Sequence, residues 1–431
     1  MTANTYHQAP ASLTEAPPQC PMHQTWSPLD PDYLADPYPI AVALRNEHPV
    51  FYAKQLGHVV VTEMEDIEAI FLNPDVFAST NVQDPLFPLC PEATAVLGAD
   101  DFNAVAVMSN RPEPDHGRIR AYTRKGFSNR RLKSLEDYMR ARATELLDRM
   151  IAGNSPADFV RSLAFPLPAE IVFRFIGFPP GDDALIKSWC VNRRAFSWGK
   201  PTPEQQTEIA RGMLEYWRYC REFVALRRDQ RADDFTSELL DAHDADPDPL
   251  NGTGISYREV ESVVYGISFA GHDPVTSLMS NTLRCLLPRR DQWDALCADQ
   301  SLAAAAVEET LRFESSQVSW RRITTQPTTL RGIDLPAGTR LLLNFAAANH
   351  QSSLFERPET YDIHRSNANH HISFGKGIHF CLGAGLARME ARIVLELLSQ
   401  RVPLLHLVED QSLTYFPNIT FRGPDALQVA W

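Results

Sequence analysis

A cysteine near the end of the 431-residue chain, Cys381, stands in a setting that suits metal ligation. It lies in the stretch FGKGIHFCLG, from Phe374 to Gly383, with glycines on both sides. Glycine permits tight turns and close backbone approach, so backbone N–H groups can point at the sulfur and stabilise a thiolate. The pattern predicts a sulfur that serves as a ligand. The alternative is a buried structural cysteine in a glycine-rich turn.

A second pattern lies upstream, in a helix predicted over residues 303–313 from the spacing of its apolar residues. Glu309 and Arg312 are three residues apart, which places them on one face of this helix, where each can orient the other. A solvated surface ion pair is the alternative for such spacing. The stretches that follow are a strand region (GIDLPAGTRLLLNFAAANH), the segment FERPETYDIHR, the cysteine loop and a final helix (AGLARMEARIVLELLSQ).

The elements that must position these residues are mostly helical. Apolar residues recur at helical spacing over 134–150, 204–227, 257–287, 303–313 and 384–400. A Val-rich hairpin near residues 50–62 predicts a β-rich corner. The stretch from Ser79 to Asp115 has no clear period and is predicted to be a loop that covers substrate. Residues 1–30, rich in Pro, Thr and Gln, are predicted to be a mobile N-terminal arm.

Composition limits the class of protein. Hydrophobic residues make up 44% of the chain and charged residues 22%, as in globular proteins with a large core. A net charge of −13 argues against nucleic-acid binding. The 7 cysteines are scattered without a CxxC pair, which argues against disulfides or a zinc site. With neither an apolar run of ~20 residues nor a signal-peptide pattern, we predict a cytoplasmic protein that does not bind membranes.

Together these features resemble the cytochrome P450 family. The match to the family's haem-binding loop, Phe-Gly-x-Gly-x-His-x-Cys-x-Gly, is complete from Phe374 to Gly383. The C-terminal half is most similar to the haem domains of bacterial self-sufficient P450s of the CYP116 type, without their fused reductase. The sequence is therefore expected to be a stand-alone relative or an excised haem domain. The resemblance implies the cytochrome P450 fold, mainly α with a small β-rich region (α+β), and a single haem domain over residues 31–431.

The resemblance assigns roles around haem b, which is iron protoporphyrin IX. Cys381 is the expected thiolate ligand of the iron, and Phe374 is expected to contact the haem from the same loop. Glu309 and Arg312, joined by Arg365, are expected to form a structural network behind the haem.

Cations are expected to hold the haem propionates. The resemblance places them at His116 and Arg120, which share a helix face at i and i+4, at Arg322 and at His379. Arg321 is the alternative to Arg322, and a surface histidine is the alternative interpretation of His116.

The residues expected to face substrate are apolar or small. They are Gly266, Phe269, Ala270, Val318, Trp320 and Phe421. A core position is the alternative for each of them. Together they predict an apolar or aromatic substrate of modest size.

The predicted central helix departs from the family pattern where oxygen is expected to bind. P450 monooxygenases usually carry an acid followed by threonine, whereas this sequence reads AGHDPV, with Asp273 followed by Pro274. Thr276 lies about 200° around the helix from that position and should face away from the haem. Because Pro274 has no N–H to donate to the carbonyl of Ala270, we expect a kink in the helix. We also expect a proton relay through Asp273 and a water held by that carbonyl. A damaged relay is the alternative.

The predicted function is a haem-thiolate monooxygenase that inserts one oxygen atom into a small organic molecule, by hydroxylation or oxidative dealkylation. The alternatives are a peroxygenase driven by hydrogen peroxide and a haem-thiolate binding or sensor protein without turnover. Because no flavin or iron–sulfur motif occurs, electrons are expected from a ferredoxin or flavodoxin with its NAD(P)H reductase. The cationic stretch from Arg118 to Lys133 is a candidate docking surface, with a solvated basic helix as the alternative.

Overall fold

Helices dominate the computed structural model, which describes residues 16–99, 101–190 and 193–431. In the N-terminal half they are α1 (Pro31–Ala35), α2 (Pro37–Glu47), α3 (Met64–Leu72), α4 (Pro91–Leu97), α5 (Asp115–Gly126), α6 (Asn129–Ala152), α7 (Pro166–Ile176), α8 (Asp183–Cys190) and α9 (Arg193–Trp198). In the C-terminal half they are α10 (Pro203–Asp229), α11 (Phe235–Ala245), α12 (Tyr257–Ala270), α13 (Asp273–Leu286), α14 (Arg290–Ala298), α15 (Ala303–Phe313), α16 (Phe345–Ala348) and α17 (Ala384–Arg401). A π-helical turn lies at Val160–Ala164, and 3₁₀ turns lie at Pro249–Asn251, Gln300–Leu302, Ala368–His370 and Gly377–His379.

The strands form a small sheet region beside these helices. They are β1 (Met22–His23), β2 (Val50–Ala53), β3 (His58–Val61), β4 (Phe77–Ala78), β5 (Ala157–Asp158), β6 (Ser319–Thr324), β7 (Thr328–Leu330), β8 (Ile333–Leu335), β9 (Arg340–Asn344), β10 (His406–Leu407) and β11 (Gln428–Ala430). The largest sheet has the order β1-β2-β3-β9-β6-β4, and the smaller ones are β10-β11-β5 and β7-β8. Because β3 pairs with β9 and β9 with β6, the segment after α15 lies beside the N-terminal hairpin.

Local sequence signals account for many of these elements. Capping boxes begin α10, at Thr202 and Gln205, and α12, at Ser256 and Glu259. The Val-rich hairpin forms from β2 and β3, whose antiparallel register pairs Val50 with Val61. These elements confirm the prediction of a mainly helical fold with a small β-rich region.

Most of the core is one large apolar cluster. It extends from Trp26 to Val429 and includes residues from most of the helices. A second cluster lies between the large sheet and α3, around Val59 and Ile67. Within the described residues, no helix has the length and apolarity needed to cross a bilayer.

Two predicted irregular segments contain more structure than expected. The described part of the predicted N-terminal arm includes β1, which pairs with β2, and Trp26, which is buried. The predicted arm therefore extends too far, since residues 16–30 pack on the domain; residues 1–15 lie outside the described residues. The predicted loop from Ser79 to Asp115 contains α4, whose buried side chains are Ala93 and Leu97.

Candidate active site

The cysteine loop is shaped by glycines and by α3, which packs against it. Gly375 and Gly377 have φ angles of 69° and 71°, a conformation that favours glycine. A Cβ atom on Gly377 would lie 2.7 Å from the backbone oxygen of Phe71, so no side chain fits there. The N–H of Cys381 donates to the oxygen of Phe374 at 2.9 Å, which closes the loop around the thiol.

The thiol of Cys381 lies in a mixed electrostatic environment. Burial raises its pKa, while the backbone N–H of Gly383 and the charges of Arg120 and Arg388 act in the opposite direction. The N–H and the guanidiniums favour the thiolate. The loop therefore supplies part of the stabilisation that a thiolate needs, and a coordinated metal cation would supply the rest.

The cations predicted to bind propionates come together beside this loop. The ring centroids of His116 and His379 are 4.0 Å apart, and Nη2 of Arg120 donates to the carbonyl of Phe380 at 2.5 Å. Burial, followed by the charges of His116 and Arg322, lowers the pKa of His379 to about 3. The ring nitrogens of His379 contact the hydroxyl of Ser79 and the carbonyl of Met108, each at 3.1 Å, so His379 contributes a polar group rather than a charge.

Arg322 gives the clearest indication of an anionic ligand. It is 1% exposed, and burial alone lowers its pKa to about 9, without an opposing carboxylate among the described residues. Its guanidinium donates to the carbonyl of Arg321 at 2.8 Å and lies 4.6 Å from the Phe71 ring centroid. A buried cation in this setting is costly unless an anion accompanies it. His116 adds a buried Nε2 without a hydrogen-bond partner in the described ranges.

Arg321, the alternative propionate ligand, is engaged elsewhere. Successive residues of a strand point to opposite faces, so Arg321 and Arg322 of β6 diverge. Nη2 of Arg321 donates to the carbonyls of Val82, Asp84 and Ser197 at 2.8, 2.8 and 3.1 Å. This favours Arg322. Arg322 lacks a carboxylate partner and His116 has a buried nitrogen without a hydrogen bond, both among the described residues. Together with the adjacent thiol, these groups fit a haem with two propionates.

The predicted structural network is fully buried at Glu309 and Arg312 and partly buried at Arg365. Glu309 and Arg312 are each 0% exposed and form a two-point ion pair, at 2.7 and 2.8 Å. Nε of Arg365 lies 3.2 Å from Glu309, and Arg312 also donates to the carbonyls of Asn349, Pro358 and Thr360. Their burial excludes the solvated surface pair considered as the alternative for this spacing.

The central helix is broken where the sequence predicted a kink. α12 ends at Ala270 and α13 begins at Asp273, so the prediction of one helix over 257–287 is wrong. Pro274 lies in the first turn of α13, where its missing N–H is no loss. At the break, a Cβ atom on Gly271 would lie 2.4 Å from Val172 of α7, so only glycine allows these helices to approach.

The groups predicted to form the proton relay lie around this break. Ala270 is exposed although the preceding Phe269 is buried, and Pro274 has no N–H to donate to the Ala270 carbonyl. Thr276 is buried, and its hydroxyl donates to the carbonyl of His272 at 3.1 Å. The hydroxyl of Thr276 is thus occupied within α13.

Asp273 is linked to the surface through an arginine that the sequence analysis did not single out. Its Oδ2 lies 3.5 Å from Nη1 of Arg194 in α9. The Nη2 of the same guanidinium lies 3.9 Å from Asp425, whose side chain is 41% exposed. Burial raises the pKa of Asp425 above its usual value. A hydrogen bond with Thr414 and the charge of Arg194 offset part of this effect. The three groups connect the helix break to solvent.

An aromatic cluster brings together three of the predicted substrate residues. We define this cluster as Trp198, Phe269, Trp320 and Phe421. Trp198 is its centre: its ring centroid lies 5.8 Å from Phe269 in a stacked arrangement, 6.1 Å from Trp320 and 5.0 Å from Phe421. Neither periodicity nor a motif marks Trp198 in the sequence, so it was not predicted.

The other predicted substrate residues lie at the edges of this cluster. Val318 is buried, and the residue before it, Gln317, pairs with Phe421 in an isolated bridge. Gly266 lines a small cavity of about 20 Å³ that is also lined by Val107, Asn110, Arg193 and Gln83. The guanidinium carbon of Arg193 lies 5.4 Å from the ring of Phe269, which connects the polar cavity with the aromatic cluster.

Comparison with known proteins identifies the class. The family model described as Cytochrome P450 matches residues 195–414. Cytochrome P450 monooxygenase PikC of Streptomyces venezuelae is 32% identical over 409 residues, which are 94% of this chain and 93% of that protein. The chain belongs to the cytochrome P450 family. It is accordingly a P450 monooxygenase, an oxidoreductase whose cofactor is haem b, and the predicted family, fold and cofactor are confirmed.

Solved structures place the chain more closely within the family. Cytochrome P450 CREJ, solved with (4-ethylphenyl) dihydrogen phosphate, is 36% identical, with a TM-score of 0.89 over 94% of this chain and 99% of that one. The CYP116B5 haem domain of Acinetobacter radioresistens is 31% identical, with a TM-score of 0.90 over 94% and 97%. Full-length CYP116B46 of Tepidiphilus thermophilus is 31% identical, with a TM-score of 0.90 over 95% of this chain but 53% of that protein. The predicted likeness to CYP116-type haem domains is confirmed.

Proposed function

We propose that this protein oxidises a small aromatic molecule with one atom of dioxygen and receives its electrons from a separate partner. The observation that best supports the proposal is Arg322, which is buried beside the cysteine loop without a carboxylate partner among the described residues. In it, Cys381 ligates the iron, Phe374 lies against the haem, and His116, Arg120, Arg322 and His379 hold its propionates. Bound in this way, haem b supplies an iron centre at which dioxygen is reduced. A single haem domain over residues 31–431 and a cytoplasmic location belong to the same proposal.

Protons for this reaction are proposed to pass from Asp425 to Asp273 beside Arg194, whose guanidinium keeps its own protons. Asp425 exchanges protons with solvent, and Arg194 holds both carboxylates near one another. Asp273 then hydrogen-bonds to a water held by the carbonyl of Ala270, which has no helical donor because α12 ends at this residue. In this arrangement the break at Pro274 takes over the role of the missing hydroxyl.

Replacing Asp273 with asparagine is expected to lower the product formed per NADH consumed by about tenfold or more, since a positioned acid or base typically contributes about 10²–10⁴-fold. NADH oxidation, product and hydrogen peroxide are measured together with a surrogate ferredoxin and reductase. Asp425→Asn should give a smaller loss, and Pro274→Thr tests whether a hydroxyl restores the usual relay. Asp294→Asn, on the surface of α14, is the matched control.

The same measurements separate the alternatives. A wild-type protein that wastes most NADH but turns over readily with hydrogen peroxide would overturn the relay and favour the peroxygenase. A protein that binds haem and carbon monoxide normally, yet forms no product with either oxidant, would be the binding or sensor protein instead.

An aromatic substrate is supported by the aromatic cluster. Four large rings provide apolar surface on which a flat molecule can stack. Arg193, at the edge of the cluster, is suited to a hydroxyl, carboxylate or phosphate on that molecule because its guanidinium donates in a planar fork. The presence of an aryl phosphate in the CREJ structure agrees with this class.

Trp198→Leu is expected to weaken binding of such a substrate by about tenfold, because a ring contact of ~0.5–1.5 kcal/mol is lost in addition to buried area. Optical titration of the ferric protein with 4-ethylphenol and with 4-ethylphenyl phosphate measures this change. Trp431→Leu, at the C-terminus, is the matched control. Affinities that are the same in wild type and Trp198→Leu would remove the aromatic cluster from the substrate site.

The partner is proposed to dock where α5 meets the cysteine loop. We define this docking surface as Arg124, Lys125, Ile378 and Phe380. Both cations are exposed, and Ile378 and Phe380 are exposed apolar residues two positions apart, at 36% and 42%. Exposed cations around an apolar centre suit an acidic ferredoxin or flavodoxin.

Other cations of the predicted basic stretch serve the fold instead. Arg118 is buried in an ion pair with Glu259, and Arg131 pairs with Glu238 and Asp233. The docking surface is therefore smaller than the sequence predicted.

Reversing the charge at Arg124 and Lys125 to glutamate should slow electron delivery by about tenfold at low salt, since steering raises association rates by about 10–10³. The difference should shrink as salt rises, because exposed charges are screened beyond about 10 Å at 0.1 M. Stopped-flow reduction by ferredoxin or flavodoxin measures it, with Arg211→Glu on α10 as the control. A rate that does not depend on these charges at any salt concentration would contradict the proposed surface.

A further inference from the structure

A charged group lies directly behind the cysteine loop, in the second turn of α17. The guanidinium carbon of Arg388 lies 4.6 Å from the ring centroid of Phe374, and the carbonyl of Phe374 accepts the N–H of Cys381. Phe374 therefore lies between Arg388 and the proposed ligand, Cys381. The planar guanidinium of Arg388 packs on the Phe374 ring.

Glu308 of α15 holds this arginine from the other side. Nε of Arg388 lies 2.5 Å from Oε1 of Glu308, and Nη2 lies 3.0 Å from Oε2. The pair is partly buried, with side chains 33% and 20% exposed. A two-point ion pair fixes the plane of the guanidinium, which an exposed single contact would not do.

His371 completes the group. Its Nε2 lies 3.3 Å from Oε2 of Glu308, and its ring centroid is 5.8 Å from that of Phe374. Its Nδ1 accepts the N–H of Ser373 at 3.1 Å and therefore carries no proton, and burial lowers the pKa of the ring. Both observations indicate a neutral ring. The charges near the loop are then one cation, on Arg388, and one anion, on Glu308.

The cation has the greater effect on the thiol. Arg388 contacts the Phe374 ring, whereas Glu308 reaches the loop through Arg388 and His371. The charge of Arg388 acts to lower the pKa of the Cys381 thiol, the direction that favours the thiolate. Since Coulomb energy falls with distance, the nearer cation leaves a net positive potential at the sulfur.

We propose that Arg388, held by Glu308, is a positioning residue that raises the reduction potential of the haem iron. The proposal rests on the ligation of the iron by Cys381. One-electron reduction of a haem held by Cys381, with the electron from the redox partner, would add one negative charge beside the cysteine loop. A fixed cation stabilises that added charge, whereas the carboxylate of Glu308 opposes it.

The proposal predicts shifts of opposite sign from the two partners. Arg388→Met should move the equilibrium about tenfold toward the ferric form, which corresponds to about 59 mV for a one-electron couple. Glu308→Gln should move it toward the ferrous form. The double variant should lie between Arg388→Met and wild type, since the nearer charge has the greater effect. Optical redox titration of the holoprotein, with substrate absent, measures all three.

Two further variants separate charge from structure. Arg388→Lys keeps the charge and should retain most of the wild-type potential. Arg392→Met, one turn further along α17, removes a surface cation paired with Glu136 and Glu396 and should leave the potential unchanged. Thermal unfolding of each variant, followed by circular dichroism, reports structural damage independently.

The outcomes are distinct. Shifts in the same direction for Arg388→Met and Glu308→Gln, or no shift in either, would overturn the proposal, because a disturbed loop does not distinguish the sign of a charge. If Arg388→Met does not retain haem, Glu308→Gln decides: a move toward the ferrous form supports the proposal and any other result overturns it. If the wild-type ferrous carbon monoxide spectrum is not that of a thiolate complex, the ligand assignment fails, and the tuning proposal fails with it.

Discussion

Replacing Cys381 with serine is expected to abolish the thiolate-type carbon monoxide spectrum of the ferrous protein. A serine hydroxyl has too high a pKa to ionise near neutral pH. It therefore cannot replace the anionic sulfur that favours O–O cleavage. Oxidation of substrate should fall by more than about a hundredfold, which is more than ~2.7 kcal/mol in the barrier. The spectrum and the rate of product formation are measured on protein reconstituted with haem.

Cys297→Ser is the matched control. Cys297 is a half-buried free cysteine in α14, and its replacement should leave spectrum and rate unchanged. If Cys381→Ser retained a wild-type carbon monoxide band, the assignment of the ligand and the roles proposed around it would be wrong.

Replacing Arg322 with leucine should have opposite effects on the protein with and without haem. In the apoprotein, the change removes a buried cation that lacks a carboxylate partner, so unfolding should become harder by about 1–3 kcal/mol. In the holoprotein, it removes a propionate partner, so haem should dissociate at least about tenfold faster. Urea unfolding of the apoprotein and haem transfer to an excess of apomyoglobin provide the two measurements.

Arg321→Leu provides the contrast, because that side chain donates to backbone carbonyls on the other face of the same strand. Its loss should destabilise the apoprotein, since buried acceptors are left without a donor, and should change the rate of haem loss little. An Arg322→Leu variant that destabilises the apoprotein and keeps haem as tightly as wild type would contradict the proposed role of Arg322.

Residues of the site that lie close together in the chain could be predicted from the sequence, whereas contacts between distant residues could not. The cysteine loop is contiguous, and its glycines and its cysteine are visible as a pattern. Glu309 and Arg312 are visible through helical spacing, although the spacing does not reveal that both are fully buried. Burial depends on what packs against α15, and no local pattern records that.

Three features were decided by contacts between distant segments. Trp198 gathers rings from α12, β6 and the C-terminal loop. Arg194 joins Asp273 to Asp425 from α9. The close approach of α7 to the break between α12 and α13 requires glycine at position 271, because Val172 leaves no room for a side chain there.

What the sequence by itself determined is the chemistry that short-range patterns can encode: the ligand loop, the helices with their caps, and the change from threonine to Pro274. What only the tertiary structure decided is which of two adjacent arginines lacks a counter-charge, and which residue lies at the centre of the aromatic cluster. The physical reason is that periodicity and motifs act over a few residues, whereas burial and charge balance depend on segments that meet only when the chain has folded.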